Sequence, residues 1–367
     1  MHVCHVVDHL DRGGAQTFLL DLVRNTADRD VTHTVCSLTT RLELERAFKG
    51  SGASVVSIGG SFAHDPRLLA RFVRLVGSEN ADVLHSHLVY SQAVARVARS
   101  FARRPSLVST YQNTAGEYYP NPAVRTAERR LRFVDDALVA VSRAVRDSFG
   151  GGQRWRLVPN GVDFDRLDRF VDRSRGVNTS PAAGVPDGPT VLTAAILSEQ
   201  KNLTTLVRAM ALVTERLPEA KLVVVGDGPR RTGLQELASE LGVDDSVQFL
   251  GAMDRRDVFI SMDRCDVFAV SSTYEGFCIA AVEAMGCGLP VVASDIPVLR
   301  EVIAEGGRFV DPNDHRTYAS ELVDLLSDTE SRREMAAKAK TRARTEFPIE
   351  KSVDSYLEVY RAVTNPD

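Results

Sequence analysis

Ser271-Ser272-Thr273-Tyr274-Glu275-Gly276-Phe277-Cys278-Ile279-Ala280-Ala281-Val282-Glu283-Ala284-Met285-Gly286-Cys287-Gly288-Leu289-Pro290-Val291-Val292-Ala293-Ser294 carries the reading of the fold. Residues 267–270 ahead of it are apolar, with valine at both ends and a phenylalanine between, the mark of a buried strand, and the strand ends in two serines. A Glu275-Gly276 turn follows, then an apolar helix over 280–285. Gly286-x-Gly288-x-Pro290 stops that helix, and a second strand runs over 291–293. Strand, turn, helix and strand make a βαβ unit, which requires a parallel sheet.

The same alternation extends in both directions. Strands are expected at 190–195, 221–225, 247–250 and 308–310, with helices at 203–216, 231–241 and 318–326. Further upstream, strands are expected at 3–7, 31–38, 53–58, 83–85, 107–110, 137–141 and 156–158. Helices over 15–25, 42–51, 67–76 and 90–101 lie between the first five of them. Between the two series, residues 171–189 are rich in Gly, Pro, Ser and Asn and lose all periodicity, which reads as a linker. The expected organisation is an α/β domain over 1–170, the linker, and a second α/β domain over 190–346. The remaining segment, 347–367, is an amphipathic helix with no strand before it, expected to pack back on the first domain.

A chain of 367 residues, 44% hydrophobic and 26% charged, can bury a large core and is neither disordered nor fibrous. A formal net charge of -4 argues against a dedicated nucleic-acid binder. Cysteines at 4, 36, 265, 278 and 287 form no C-x-x-C pair, so neither a disulfide framework nor a structural zinc site is expected. No apolar run reaches the length of a membrane span, and the first residues lack the basic start of a signal peptide. A cytoplasmic protein is expected.

The charge is unevenly placed, with net +6 over residues 1–180 and net -10 over 181–367. Three stretches carry the basic excess: Arg67/Arg71/Arg74, Arg96/Arg99/Arg103/Arg104 and Arg125/Arg129/Arg130/Arg132. Spacings of three and four put each set on one helix face. Such faces are either solvated or laid on an anionic membrane surface.

Two glycines, Gly13 and Gly14, open the first helix, where a backbone can approach an anion closely. In the quoted stretch, Glu275 belongs to the turn and Glu283 to the helix. The amides of Phe277, Cys278 and Ile279 are then helix-start donors suited to a diphosphate.

Glu275-x7-Glu283, with Gly276, Phe277, Gly286, Gly288 and Pro290 around it, resembles the signature of glycosyltransferase family 4. Other pieces occur in that family's order: Gly13-Gly14-Ala15-Gln16, Asp82-Val83-Leu84-His85-Ser86-His87 and Val158-Pro159-Asn160-Gly161-Val162-Asp163. Leu197-Ser198-Glu199-Gln200-Lys201-Asn202, Val225-Gly226-Asp227-Gly228-Pro229 and Phe249-Leu250-Gly251 complete the set. The resemblance spans nearly the whole chain. It implies the GT-B fold, two Rossmann-like domains with parallel sheets facing across a cleft. It also implies a retaining transferase with a nucleotide-diphosphate sugar as co-substrate and no required metal or other cofactor.

By the same resemblance, Lys201 and the 277–279 amides would neutralise the leaving diphosphate, and Glu283 would accept ribose hydroxyls. Glu275 would orient the donor sugar, and Gly276 would belong to the donor-binding residues with Phe277, Cys278 and Ile279. His87 would donate a hydrogen bond near sugar or acceptor, with His85 competing for that place. Gly13 and Gly14 would admit diphosphate and acceptor. The acceptor is expected to be lipid-linked or a saccharide at the inner membrane face, in glycan assembly, with loops 60–66 and 111–123 building its pocket. Alternatives are a transferase on a small soluble acceptor, a nucleotide-sugar epimerase, and a non-catalytic binding or scaffold subunit. Ile196 departs from the family, which has arginine there; Arg230 or Arg231 could substitute. Residues 110–113 also lack the histidine often found after that strand.

Overall fold

The computed structural model describes residues 1–59, 66–101, 105–119, 121–175 and 184–365. They divide into two compact units, Met1–Gly161 with Ile349–Asp367, and Val162–Pro348. Most of the 60–66 loop, Arg103, Arg104 and residues 176–183 of the expected linker lie outside the described residues.

The first unit is built on β1 (His2–Val7), β2 (Thr32–Ser37), β3 (Ser54–Ser57), β4 (Val83–Ser86), β5 (Ser106–Tyr111), β6 (Ala137–Ala140) and β7 (Trp155–Leu157). They form one sheet in the order β3-β2-β1-β4-β5-β6-β7, and every pairing is parallel. Period-2 alternation separates two different faces. Cys4, Val6, Cys36 and Leu84 join an apolar cluster with Phe72 and Val94 from helices Pro66–Glu79 and Val89–Phe101. His5, His33 and His85 occupy the other face, where the last helix, Ile349–Thr364, places Tyr360 on His85 and Tyr356 on Phe18 of helix Gly14–Arg24.

The basic stripes are not uniformly exposed. Arg96 is buried; its Nε donates to Asp135 at 2.8 Å and its Nη2 to the Tyr111 hydroxyl at 2.7 Å. Arg132 is buried as well, donating to the Phe149 carbonyl at 3.0 Å with its guanidinium over the Phe149 and Trp155 rings. Helical spacing identifies a face but not where that face turns inward onto an acid or an aromatic ring. Arg67, Arg71, Arg74, Arg125, Arg129 and Arg130 stay at the surface.

The second unit is built on β8 (Thr190–Ala194), β9 (Lys221–Val225), β10 (Val247–Gly251), β11 (Val267–Val270), β12 (Val291–Ser294) and β13 (Gly307–Val310). Its order is β10-β9-β8-β11-β12-β13, again parallel throughout. Leu206, Val207, Met210 and Val213 of helix Leu203–Arg216, with Tyr318 and Leu322 of helix His315–Ser327, cover one side of this sheet.

The division between units falls at Gly161/Val162, ahead of the 171–189 stretch. Helix Phe164–Arg175, unassigned by periodicity, belongs to the second unit. Phe170 packs on Phe259 at 6.4 Å, and Arg344 bonds Asp168 through both its terminal nitrogens, at 2.8 and 2.6 Å. Helix Thr329–Glu346 also escaped periodicity, because Ala339 and Ala343 are the residues it buries. A stripe of small side chains has too little apolar mass to register as a period.

Candidate active site

In open parallel sheets, ligands sit beyond the C-terminal strand ends where the strand order reverses. In the second unit that reversal lies between β8 and β11. The loop after β8 carries Lys201, and the loop after β11 carries Glu275.

Several bonds tie these loops together. The Thr273 amide donates to the Gln200 carbonyl at 2.9 Å, and Gln200 Nε2 donates to the Tyr274 carbonyl at 2.9 Å. Ser271 Oγ donates to the Lys201 carbonyl at 2.8 Å. Lys201 Nζ then reaches Glu275 Oε1 at 2.5 Å, and Ser272 Oγ donates to the same oxygen at 2.8 Å. The side chains of Lys201 and Glu275 are only 21% and 7% exposed. Burial works against the ammonium, but the adjacent carboxylate more than offsets it and raises the Lys201 pKa above its ordinary value. Lys201 is therefore charged at neutral pH.

The β8 loop is held from the other side by Gly226 and Gly228. Gly226 has φ +126°, and a Cβ there would lie 1.9 Å from the Ala195 carbonyl oxygen. A Cβ on Gly228 would meet the Leu197 backbone at 2.6–2.9 Å. This close approach allows Leu197 N to donate to the Asp227 carbonyl and Arg230 N to the Leu197 carbonyl.

Helix Ile279–Cys287 begins just past Glu275, with Cys278 as N-cap in a left-handed conformation. The amides of Phe277, Cys278 and Ile279 make no hydrogen bond among the described residues. The Phe277 side chain is buried edge-on against Phe347 at 5.3 Å. Burial, with Glu275 beside it, pushes the Cys278 thiol up to about 12 and keeps it protonated. Glu283 is buried and accepts from Arg255 Nη2 at 2.5 Å. Nothing in the sequence distinguishes Arg255 from the other arginines as a partner for Glu283.

At position 196 the isoleucine side chain is 52% exposed. Both suggested substitutes face carboxylates. Arg230 lies 3.3 Å from Glu199 at the surface, and Arg231 is 3.4 Å from Asp227. Arg230 stands nearer the loop in question, since its own amide bonds Leu197.

In the first unit the strand order reverses between β1 and β4. Gly13 and Gly14 follow β1 at the start of helix Gly14–Arg24, and His87 follows β4. Gly13 is extended, and a Cβ there would press on the Gln16 side chain at 2.6 Å. Both competing histidines are buried, but their bonding differs. His85 Nδ1 meets the Tyr360 hydroxyl and its Nε2 meets Thr110 Oγ1, each at 2.7 Å. His87 Nε2 meets His5 Nδ1 at 3.0 Å, while His87 Nδ1 has no partner among the described residues. His5, His85 and His87 offer nitrogens within 4.8 Å of one another, yet all of those except His87 Nδ1 are already hydrogen-bonded. Beyond the ends of β5 and β7, Gln112 Nε2 and Asn160 Oδ1 also lack a partner among the described residues; both lie in stretches quoted from the sequence, where neither was given a role of its own.

Comparison with known proteins agrees with this architecture. The family described as "Glycosyltransferase Family 4" matches residues 12–166, and "Glycosyl transferases group 1" matches residues 180–342. A D-inositol 3-phosphate glycosyltransferase from Salinispora arenicola is 30% identical, covering 95% of this chain and 87% of its own. A GDP-mannose-dependent alpha-(1-6)-phosphatidylinositol monomannoside mannosyltransferase from Mycolicibacterium smegmatis is 29% identical over 72% of each. The crystal structure of Anabaena Alr3699/HepE with UDP and glucose superposes with a TM-score of 0.85 at 22% identity, covering 99% of this chain and 100% of that one. With both halves matched in order and a relative at 30% identity along almost its full length, the chain belongs to glycosyltransferase family 4 and is a glycosyltransferase of GT-B fold.

Proposed function

We propose that the protein is a retaining transferase that takes a sugar from a nucleoside-diphosphate donor held by the second unit. The observation that carries this reading is the Lys201–Glu275 pair at the strand-order reversal, beside three helix-start amides without partners among the described residues. Lys201 supplies a cation and the amides supply directed donors to the diphosphate. Charge grows there as the sugar departs, so these groups act most strongly in the transition state. Glu275, anchored by Ser272, orients the sugar. Glu283, held by Arg255, faces the ribose. The leaving phosphate takes the acceptor proton, and no divalent metal is called for.

The test is thermal stabilisation across UDP, GDP, ADP, TDP and CMP. A nucleotide at 100 times its dissociation constant should stabilise the fold by about 2.7 kcal/mol. The shift should come from one base and shrink in Glu283→Gln. No shift for any nucleotide would overturn the donor reading.

For the acceptor we favour a lipid-linked or saccharide molecule at an anionic membrane surface, in glycan assembly. Helix Pro122–Leu131 and the turn after it expose Val124, Leu131 and Phe133, the last at 75%, among Arg125, Arg129 and Arg130. Apolar side chains interleaved with arginines suit an anionic interface. No helix among the described residues is long and apolar enough to cross a membrane. The protein should bind vesicles rich in anionic lipid and be released as salt rises. Absence of binding at low salt would leave a small soluble acceptor, the reading favoured by the D-inositol 3-phosphate relative.

A further inference from the structure

A row of buried hydrogen bonds runs from His87 across the sheet to the end of the first helix. His87 Nε2 meets His5 Nδ1 at 3.0 Å, and His5 Nε2 meets His33 Nδ1 at 3.0 Å. His33 Nε2 meets Thr26 Oγ1 at 2.7 Å. Burial pushes His87 down to about 3 and His33 to about 4, and holds His5 well below its ordinary range. All three rings are therefore neutral at neutral pH. A neutral imidazole has one N–H and one lone pair, so each ring donates on one side and accepts on the other. The row must point one way.

Its direction is decided at Thr26, which has a single hydroxyl proton. Thr26 Oγ1 lies 3.0 Å from the carbonyl oxygens of both Leu22 and Val23. Donating to them leaves the hydroxyl oxygen to accept from His33 Nε2–H, so both capacities are used. Donating to His33 forfeits the backbone bond. One extra hydrogen bond is a bias of about tenfold. The preferred direction runs from His87 through His5 and His33 to Thr26. It leaves a bare lone pair on His87 Nδ1, the atom with no partner among the described residues. The reverse direction would leave a buried, bare N–H there, a rarer state in proteins.

We propose that this row fixes His87 as its Nε2–H tautomer and presents Nδ1 as a hydrogen-bond acceptor for a hydroxyl group, with His5, His33 and Thr26 as positioning residues. This reverses the donor role that the family resemblance gives His87. It rests on the proposed function only for whose hydroxyl is bound, that of the sugar or of the acceptor. The row ends on backbone carbonyls, so it orients His87 and offers no outlet for a proton.

The test uses the full chain, free of ligand, isotopically labelled at its histidine nitrogens. Long-range proton–nitrogen correlation at neutral pH reads each ring's tautomer, with assignment by single His→Gln variants. His5, His33 and His87 should all be Nε2–H; an Nδ1–H or charged His87 overturns the proposal. Thr26→Val removes the deciding hydroxyl. The bias of about tenfold should then disappear, mixing or reversing the tautomers of all three rings, although Thr26 touches only His33. Thr26→Ser should keep the wild-type pattern. An unchanged His87 tautomer in a folded Thr26→Val protein also overturns the proposal, and the wild-type spectrum decides the matter should that variant not fold. No sugar or nucleotide is present, so failure of the transferase reading leaves this result untouched.

Discussion

Glu275→Gln should slow sugar transfer by about 100- to 1000-fold while the fold and nucleotide binding persist. Gln is nearly isosteric and keeps an oxygen for Lys201 Nζ and Ser272 Oγ, which both reach Glu275 Oε1 in the native site. What it removes is the negative charge beside Lys201. The carboxylate raises the Lys201 pKa against the pull of burial. Without it, a half-buried ammonium depends on the diphosphate for its counter-charge. Binding of the nucleotide product should therefore be preserved or tightened, while orientation of the sugar is lost. Steady-state transfer assays beside nucleotide melting shifts separate these effects. Unchanged turnover would show that Glu275 does not act on the donor.

Gly226→Ala should lower stability by about 3–4 kcal/mol, a fall of about 10 °C in melting temperature, and abolish nucleotide stabilisation as well. Two costs combine. Gly226 has φ +126°, which an L side chain rarely adopts, and the added methyl would meet the Ala195 carbonyl oxygen at 1.9 Å. Backbone cannot rotate away as a side chain can, so the loop after β8 must shift, and Lys201 sits on that loop. Gly50→Ala is the matched control, since nothing lies within 4 Å of its added Cβ. Equal melting curves for the two variants would show that the contact between the loops after β8 and β9 yields cheaply.

The alternating periodicity from residue 3 to residue 310 was legible because a parallel sheet covered on both faces needs apolar strands, and its helices need one apolar stripe. Elements that bury little apolar mass were not legible. Helix Thr329–Glu346 is held through alanines, and helix Phe164–Arg175 is strongly charged along much of its length. The glycine and glutamate spacing around Glu275 could be read because turns and helix starts are local. Arg255, Ser272 and the His5–His33–Thr26 row could not, because nothing in the chain near them announces their partners.

By itself, the sequence determined the fold class, two parallel α/β sheets, and the stretches that form their strand-end loops. Both follow from local rules: side-chain period, turn residues and helix starts. The tertiary structure alone decided which charges meet and which stay at the surface. Lys201 and Glu275 lie 74 positions apart and share a bond only because β8 and β11 are neighbours. Arg96 is buried on Asp135 while Arg129 faces solvent, though both belong to stripes of the same spacing. Two histidines separated by one residue, His85 and His87, differ because one has hydroxyl partners at both nitrogens and the other has a partner at one. Partnership is a property of three-dimensional neighbourhood, set by strand order and burial, and no spacing along the chain encodes it.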